Sequence, residues 1–149
     1  GMRLILAAMI AALSGGTAMA SGGVTCDFED EKAQISINGG VTRGMGGALF
    51  SFAGEANIKD ADIAKDLQAT TFDRSHVAQY WLDEDGLKLK LYRERDGDLP
   101  HGFVEETVTS PTDGETQGSY RVEIYDMTNP SEGEAEIASY SGHITCLAE

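Results

Sequence analysis

The stretch VAQYWLDEDGLKLKLYR, residues 77–93, decides the fold, because it holds two alternating segments on either side of a turn. In its second half Leu87, Leu89 and Leu91 alternate with polar residues, and a period of two places alternate side chains on opposite faces of a β-strand. The intervening residues 83–86 contain Asp-Gly, a pair that tolerates the positive φ of a tight hairpin. The stretch therefore predicts a β-hairpin with one dry and one wet face.

The same alternation recurs in further short segments along the chain. We predict strands over residues 24–28, 34–37, 48–58, 77–82, 87–93, 103–109, 120–125 and 136–147. The predicted core faces carry Ala48, Phe50, Phe52, Ala56, Ile58, Val104, Val108, Tyr120, Val122, Ile124, Ala138, Tyr140, Gly142, Ile144 and Cys146. In the third of these segments the alternation is interrupted at Gly54, where we predict a bulge.

Turns or loops are predicted between the strands, at residues 29–31, 95–102, 111–118 and 129–131, from their content of Gly, Pro, Asp and Asn. Residues 60–68 predict one short helix, in which Ile63 and Leu67 are one turn apart and Asp60 is the cap. Seven or eight short strands without room for helical crossovers indicate a mostly all-β, antiparallel fold. A β-sandwich and an up-and-down β-barrel fit this pattern equally well.

Residues 1–20 are typical of a leader rather than of the folded domain. Gly1 precedes Met2, and we interpret it as a vector-derived residue. Arg3, the apolar residues 4–13 and the small residues 17–20 then have the order and length of a cleaved signal peptide. The apolar run is too short for a transmembrane helix, which needs about 20 residues. We therefore expect a periplasmic or secreted protein without a membrane span, and a single domain over residues 21–149.

The chain is strongly acidic, with a net charge of -14 that becomes -15 once Arg3 is removed with the leader. Such a field repels polyanions and attracts cationic partners. We therefore expect no nucleic-acid partner. No cofactor motif is found, because the glycine-rich residues 39–47 lack the spacing of a phosphate-binding loop.

Cys26 and Cys146 are the only cysteines, and they lie near the two ends of the predicted mature chain. In an oxidising compartment two such cysteines are expected to pair. Neither has the spacing of a metal site or a redox motif. The prediction is a structural disulfide that joins the first strand to the last.

Four of the ten basic residues of the mature chain, Lys88, Lys90, Arg93 and Arg95, fall within eight positions. With Tyr92 and the neighbouring Trp81, they are the candidate ligand-binding residues, able to hold a carboxylate or sulfate group. The competing interpretation is structural: the same cations would pair across strands with acids such as Glu105 and Glu106. Of the adjacent Tyr80 and Trp81, one is expected in the core and the other exposed.

Other residue groups give weaker signals. The aspartates at 60, 62, 66, 83, 85, 96 and 98 offer oxygen ligands, but they do not match a calcium loop, and turn chemistry explains them better. His76, His101 and His143 lack metal-binding or nucleophile spacing. We therefore expect no metal site, and no catalytic residue is assigned.

These observations favour an exported, non-catalytic binding module that recognises a protein or a small molecule through a sheet face or a barrel mouth. Three alternatives stay open: an inhibitor of a cationic hydrolase such as lysozyme, a small hydrolase with a His/carboxylate site assembled by the fold, and a structural protein of the envelope. The sequence leaves the partner and the oligomeric state undetermined. An apolar cavity would favour ligand carriage, and a filled interior would favour surface recognition.

Overall fold

The computed structural model describes residues 21–42, 48–131 and 134–149, and its regular structure is almost entirely β. The strands are β1 Ser21–Glu29, β2 Ala33–Thr42, β3 Leu49–Ile58, β4 Ala69–Asp73, β5 Val77–Asp83, β6 Gly86–Glu94, β7 Gly102–Ser110, β8 Asp113–Ser131 and β9 Glu134–Ala148. One short helix, α1 Lys65–Gln68, precedes β4, and a 3₁₀ turn, Arg74–His76, joins β4 to β5. The predicted all-β class with a single short helix is confirmed.

The strands form one antiparallel sheet in the order β4-β3-β2-β1-β9-β8-β7-β6-β5, and this sheet is nearly closed into a barrel. Directions alternate along the order, so its two ends, β4 and β5, run the same way. Neighbouring parallel strands need a crossover of a dozen or more residues, whereas only the 3₁₀ turn separates β4 from β5. They are therefore successive halves of one strand position: β4 pairs with β3, and β5 pairs with β6.

A disulfide fastens the sheet where the first and last strands meet. Cys26 of β1 and Cys146 of β9 are direct cross-strand partners, with Cα atoms 4.1 Å apart and a bond between their sulfur atoms. The β1–β9 ladder comprises four residue pairs, residues 24–27 with residues 145–148, and at its end Gly23 and Glu149 exchange two further backbone hydrogen bonds. The predicted disulfide is confirmed, and it reinforces a short ladder.

The inward faces of the strands share one dry interior, as the alternation predicts. Leu87, Leu89 and Leu91 of the predicted hairpin are all buried. Gly86, at the end of the hairpin turn, has a φ of 131°, and a Cβ there would collide with the carbonyl of Ser110. A void that Val24 helps to line measures about 10 Å³, close to the lower limit for one water molecule. Side chains therefore fill this part of the barrel.

The predicted core position of Ala48, which is exposed, is wrong, and so is that of Phe50. Its side chain is 54 % exposed, while the adjacent Leu49 packs against the core. The cause is a register shift between β2 and β3: Gly40 pairs with Ser51, whereas the next residue along β2 pairs with Leu49. The bulge therefore lies at Phe50, and the predicted bulge at Gly54 is not there.

Two predicted loops are also wrong, because β8 is longer than its apolar core face suggests. β8 begins at Asp113, within the predicted loop 111–118, and a shift in the β8–β9 register after this residue accommodates extra residues. At its other end β8 continues through the predicted turn 129–131. Ser131 there pairs with Glu134 across residues 132–133, which lie outside the described residues.

The helix is shorter than predicted, and Asp60 does not cap it. Residue 64 occupies the N-cap position without a side-chain hydrogen bond, and Asp60 instead accepts the N–H of Asp62 within its own turn. Leu67 is buried and Ile63 packs against the core, in agreement with the predicted apolar side.

The predicted signal peptide and most of the glycine-rich segment lie outside the described residues. No helix in the described part of the chain is long and apolar enough to cross a membrane.

Candidate functional site

The outer wall of β5 to β9 is organised in cross-strand rows of outward-facing side chains. The tryptophan row contains Trp81, Lys88, Thr109, Ser119 and His143. The cation row next to it contains Gln79, Lys90, Thr107, Arg121 and Ser141. The acid row follows, with Tyr92, Glu105, Glu123 and Ser139, and then the aromatic row, with Glu94, Phe103, Tyr125 and Ile137. Strands β6 to β9 contribute one residue to every row, and β5 contributes to the first two, because outward side chains recur every second residue.

Trp81 is the most exposed large apolar side chain among the described residues, at 61 %, whereas the preceding Tyr80 packs against the core. The expectation that one of the pair faces solvent is confirmed. The indole Nε1 of Trp81 donates to a carboxylate oxygen of Asp83 at 2.7 Å. That hydrogen bond, with one from the backbone of Asp85, lowers the pKa of Asp83. Asp83 therefore stays ionised and holds the indole by its nitrogen, while the rings remain open to solvent.

Lys88 and Lys90 lie beside Trp81 and line a shallow groove on the outer wall. This cationic groove, of about 510 Å³, is lined by the outward side chains of Gln79, Trp81, Lys88, Lys90, Thr107 and Thr109. Within the described part of the chain Lys88 forms no ion pair within 4.0 Å, and the ammonium of Lys90 is 4.0 Å from Glu105. A second groove, lined in part by Arg121 and His143, shares both threonines with the first.

The cationic groove can therefore offer two ammonium groups, hydroxyl groups and an indole to one ligand. The predicted pairing of Lys90 with Glu105 is present, but the Nζ and Oε1 atoms are 4.0 Å apart, which is the upper limit for an ion pair. The predicted pairing with Glu106 is wrong, because Glu106 points into the barrel. Three of the sequence-predicted site residues, Trp81, Lys88 and Lys90, are thus brought together.

Arg93 and Arg95 lie away from the groove, at the C-terminal end of β6 and just after it. Arg93 donates to the carbonyl oxygen of Thr71 at 2.6 Å and to Asp96 at 2.8 Å. The side chain of Arg95 is only 2 % exposed, and it pairs with Asp66 at 2.7 Å and with Asp126 at 2.9 Å. The hydrogen bond to Asp66 is the main cause that raises the pKa of Arg95. Both guanidinium groups are engaged by the protein itself.

A cavity of about 240 Å³ lies between Arg93, Arg95 and α1. It is at the seam of the barrel, which is the place where β4 and β6 face each other without a ladder. Its lining includes Asp66, Thr70 and Asp96, so the polar groups that face it are already paired with each other in part. These paired side chains therefore hold the end of the barrel closed at the seam.

Tyr92 is the remaining predicted residue, and it faces outward in the acid row. Its ring centroid lies 5.2 Å from that of Phe103, and its hydroxyl donates to Glu94 at 3.1 Å. Desolvation, with the hydrogen bond to Glu94, raises the pKa of Tyr92. Tyr92 therefore belongs with an aromatic cluster rather than with the cationic groove.

Glu106 is the one buried carboxyl group in the described core, and it is 1 % exposed. Neither carboxylate oxygen has a hydrogen-bond partner among the described residues. Desolvation raises the pKa of Glu106 to about 8, so the group is largely protonated at neutral pH. Its neighbour Tyr120, also buried, has a pKa raised to about 12 by desolvation and by the charge of Asp30.

The histidines lie on different elements. His76 accepts the backbone N–H of Asp73 at 2.9 Å as part of the capping box of the 3₁₀ turn. His101 packs against the ring of Tyr125, and His143 lies in the tryptophan row. Over the described ranges no three histidine, cysteine or carboxylate side chains are grouped so that they could hold a metal ion.

Asp60 and Asp83 accept hydrogen bonds within their own turns, as turn chemistry predicts.

Sequence reasoning missed Arg121, the burial of Glu106 and the aromatic row, although each had a signal. Val104 and Val108 share one face of a strand, and Glu106 lies between them in the same phase. Arg121 and Tyr125 alternate with the predicted core residues of β8 and so belong to its outward face, but only the register of β7, β8 and β9 brings them beside Thr107 and Phe103. Comparison of the chain with protein-family models, curated proteins and solved structures finds no match.

Proposed function

We propose that this chain is an exported, non-catalytic binding module that recognises an anionic group of a protein or small molecule at the cationic groove. The observation that carries the proposal is the position of Lys88 and Lys90 beside the exposed Trp81. In a chain with a net charge of -14, two adjacent lysines on an outer wall form a local positive site. An ammonium group binds a carboxylate or sulfonate by charge-assisted hydrogen bonds, and the indole adds apolar contact.

The packed interior supports recognition at the surface rather than ligand carriage. The cationic groove has about fifty times the volume of the void near Val24, at about 510 Å³ against about 10 Å³. Ligand sites typically occupy about 300 to 1,000 Å³, and the groove lies within that range. The ligand therefore has room on the wall of the barrel.

Trp81 is the only tryptophan of the chain, so its fluorescence reports on the groove directly. The test is titration with 8-anilinonaphthalene-1-sulfonate, an aromatic anion, and with N-phenyl-1-naphthylamine, which has the same rings without the sulfonate. We expect the sulfonate to quench Trp81 and the amine to have a much smaller effect. Removing both lysines (K88A with K90A) should weaken sulfonate binding about fivefold, the value for two exposed contacts of about 0.5 kcal/mol each.

The matched control removes two lysines elsewhere, Lys59 and Lys65, and therefore changes the net charge equally. If the two double variants lose sulfonate binding to the same extent, the overall field and not the groove binds the anion, and the proposal fails. Equal binding of the amine and the sulfonate contradicts it as well.

Export is the second part of the proposal. A buried disulfide is typical of proteins that fold in an oxidising compartment. The measurement is the intact mass of the protein recovered from the medium or periplasm of its native host. The expected mass corresponds to a chain that begins near Ser21, and a mass that includes Met2 contradicts a cleaved signal.

A further inference from the structure

The aromatic row carries a cluster of rings on the outside of the barrel. The rings of Phe103 and Tyr125 are nearly parallel, at an angle of 13°, with centroids 5.2 Å apart. Tyr92 adds a third ring at 5.2 Å from Phe103, and His101 lies 5.6 Å from Tyr125. Three rings from three neighbouring strands, with that of His101 just before β7, thus form one continuous cluster.

Exposed apolar side chains extend this cluster on the same wall. Ile137, the cross-strand partner of Tyr125, is 56 % exposed, and Met127 on β8 is 40 % exposed. The outer face of an antiparallel sheet is normally polar, so a contiguous apolar area there indicates contact with another molecule. We name this area the aromatic patch: Tyr92, His101, Phe103, Tyr125, Met127 and Ile137.

Carboxylates border the aromatic patch. Glu94 pairs with Phe103 across β6 and β7, and Glu105 and Glu123 stand beside the rings in the acid row. Among the described residues the carboxylate of Glu94 accepts one side-chain hydrogen bond, from the hydroxyl of Tyr92, and so it keeps capacity for a second donor. Aromatic rings next to carboxylates match an arginine side chain, which stacks on rings and donates to carboxylates at once.

We infer that the aromatic patch is a docking surface for a basic, apolar segment of a partner protein. The net charge of -14 steers such a partner toward the barrel. A second copy of this chain fits less well, since it would carry the same net charge and the same acid row to the contact. The inference does not depend on the proposed function, because the aromatic patch takes the opposite charge and shares no residue with the cationic groove; Glu105, which pairs with Lys90, lies between the two.

The test is calorimetric titration of the whole mature protein with synthetic heptapeptides. A peptide of alternating arginine and leucine should bind, and a peptide of alternating glutamate and leucine should not. Replacing the exposed apolar residues (I137S with M127S) should weaken the arginine peptide about tenfold, as loss of buried contacts does in protein interfaces. The matched control is F50S, because Phe50 is equally exposed, at 54 %, but lies on β3 away from the patch.

Three results would overturn the inference. The first is binding of the arginine peptide that F50S weakens as much as the double variant does. The second is equal binding of the glutamate peptide. The third is tighter binding of chitotetraose, a neutral sugar, than of the arginine peptide, since the rings would then stack on carbohydrate. Thermal unfolding of each variant separates lost binding from lost folding.

Discussion

Arg93 on β6 donates a hydrogen bond from Nη1 to the carbonyl oxygen of Thr71 on β4, 2.6 Å away. β4 and β6 have no ladder between them, so this side chain bonds to a backbone group that a neighbouring strand would otherwise satisfy. The same guanidinium also contacts Thr71 Oγ1 and Asp96. Arg93 is therefore the polar closure of the barrel at its seam.

Replacing Arg93 by alanine should destabilise the protein by about 1 to 3 kcal/mol, because the carbonyl of Thr71 loses a charged donor. Urea unfolding followed by circular dichroism measures the change. Arg74, an exposed arginine in the neighbouring 3₁₀ turn, is the matched control, and R74A should change stability by less than about 0.5 kcal/mol. Equal losses would mean that Arg93 does not close the seam.

Glu106 makes stability depend on pH in a direction opposite to that of most acids. Its pKa in the folded protein, about 8, lies above the ordinary value of 4.5. Below pH 4.5 the carboxyl is protonated in both states, and as pH rises toward 8 only the unfolded state ionises. Stability is therefore lost over this range, at about 1.4 kcal/mol per pH unit.

The variant E106Q removes this titration and should be more stable than the wild-type protein at pH 7 but not at pH 4. Unfolding curves for both proteins at several pH values give the difference directly. E105Q, which changes the partly buried neighbour on the outer face, is the control and should leave the pH dependence of this difference unchanged. A wild-type protein whose stability difference from E106Q is independent of pH would contradict the raised pKa.

Arg95, directly after β6, joins Asp66 of α1 to Asp126 of β8. Because its side chain is only 2 % exposed, R95A leaves two carboxylates without their shared cation. We expect a loss of about 2 kcal/mol, less than for a fully buried pair because both acids are partly exposed. R121A removes an exposed pair with Glu123 and should cost less than about 1 kcal/mol, as differential scanning calorimetry can show.

Replacing both cysteines by serine should lower the free energy of unfolding by about 2 to 4 kcal/mol. The bond holds a ladder of only four residue pairs, so the β1–β9 contact should be the first to open in the variant. Hydrogen exchange of the amides in residues 24–27 and 145–148 measures this opening. Unchanged protection there would mean that the ladder is stable without the bond.

The hairpin around Gly86 and the disulfide were predictable from sequence because each depends on local chemistry or on a count. The alternation of apolar and polar residues correctly predicted the inward side chains wherever the strand register is regular, as at Leu87, Leu89 and Leu91. It failed at Phe50, because a one-residue bulge exchanges the two faces and leaves no distinct residue type to mark it.

The candidate site was predictable only within a single strand. Lys88, Lys90 and Trp81 belong to one hairpin, so the sequence brings them together. Arg93 and Arg95 follow closely in sequence, yet they lie at the seam, and whether a cation meets a ligand or an internal carboxylate depends on tertiary contacts. The division of one strand position into β4 and β5 was likewise not predicted, since it follows from directions around the whole sheet.

The bond between Cys26 and Cys146 spans 120 positions of sequence, so most of the polypeptide is a covalent ring. A protease that cuts this ring once produces two pieces that stay tethered through the sulfur atoms. Release of a fragment requires a second cut or a reductant. In the absence of a reductant, a molecule nicked once would keep its two parts covalently together.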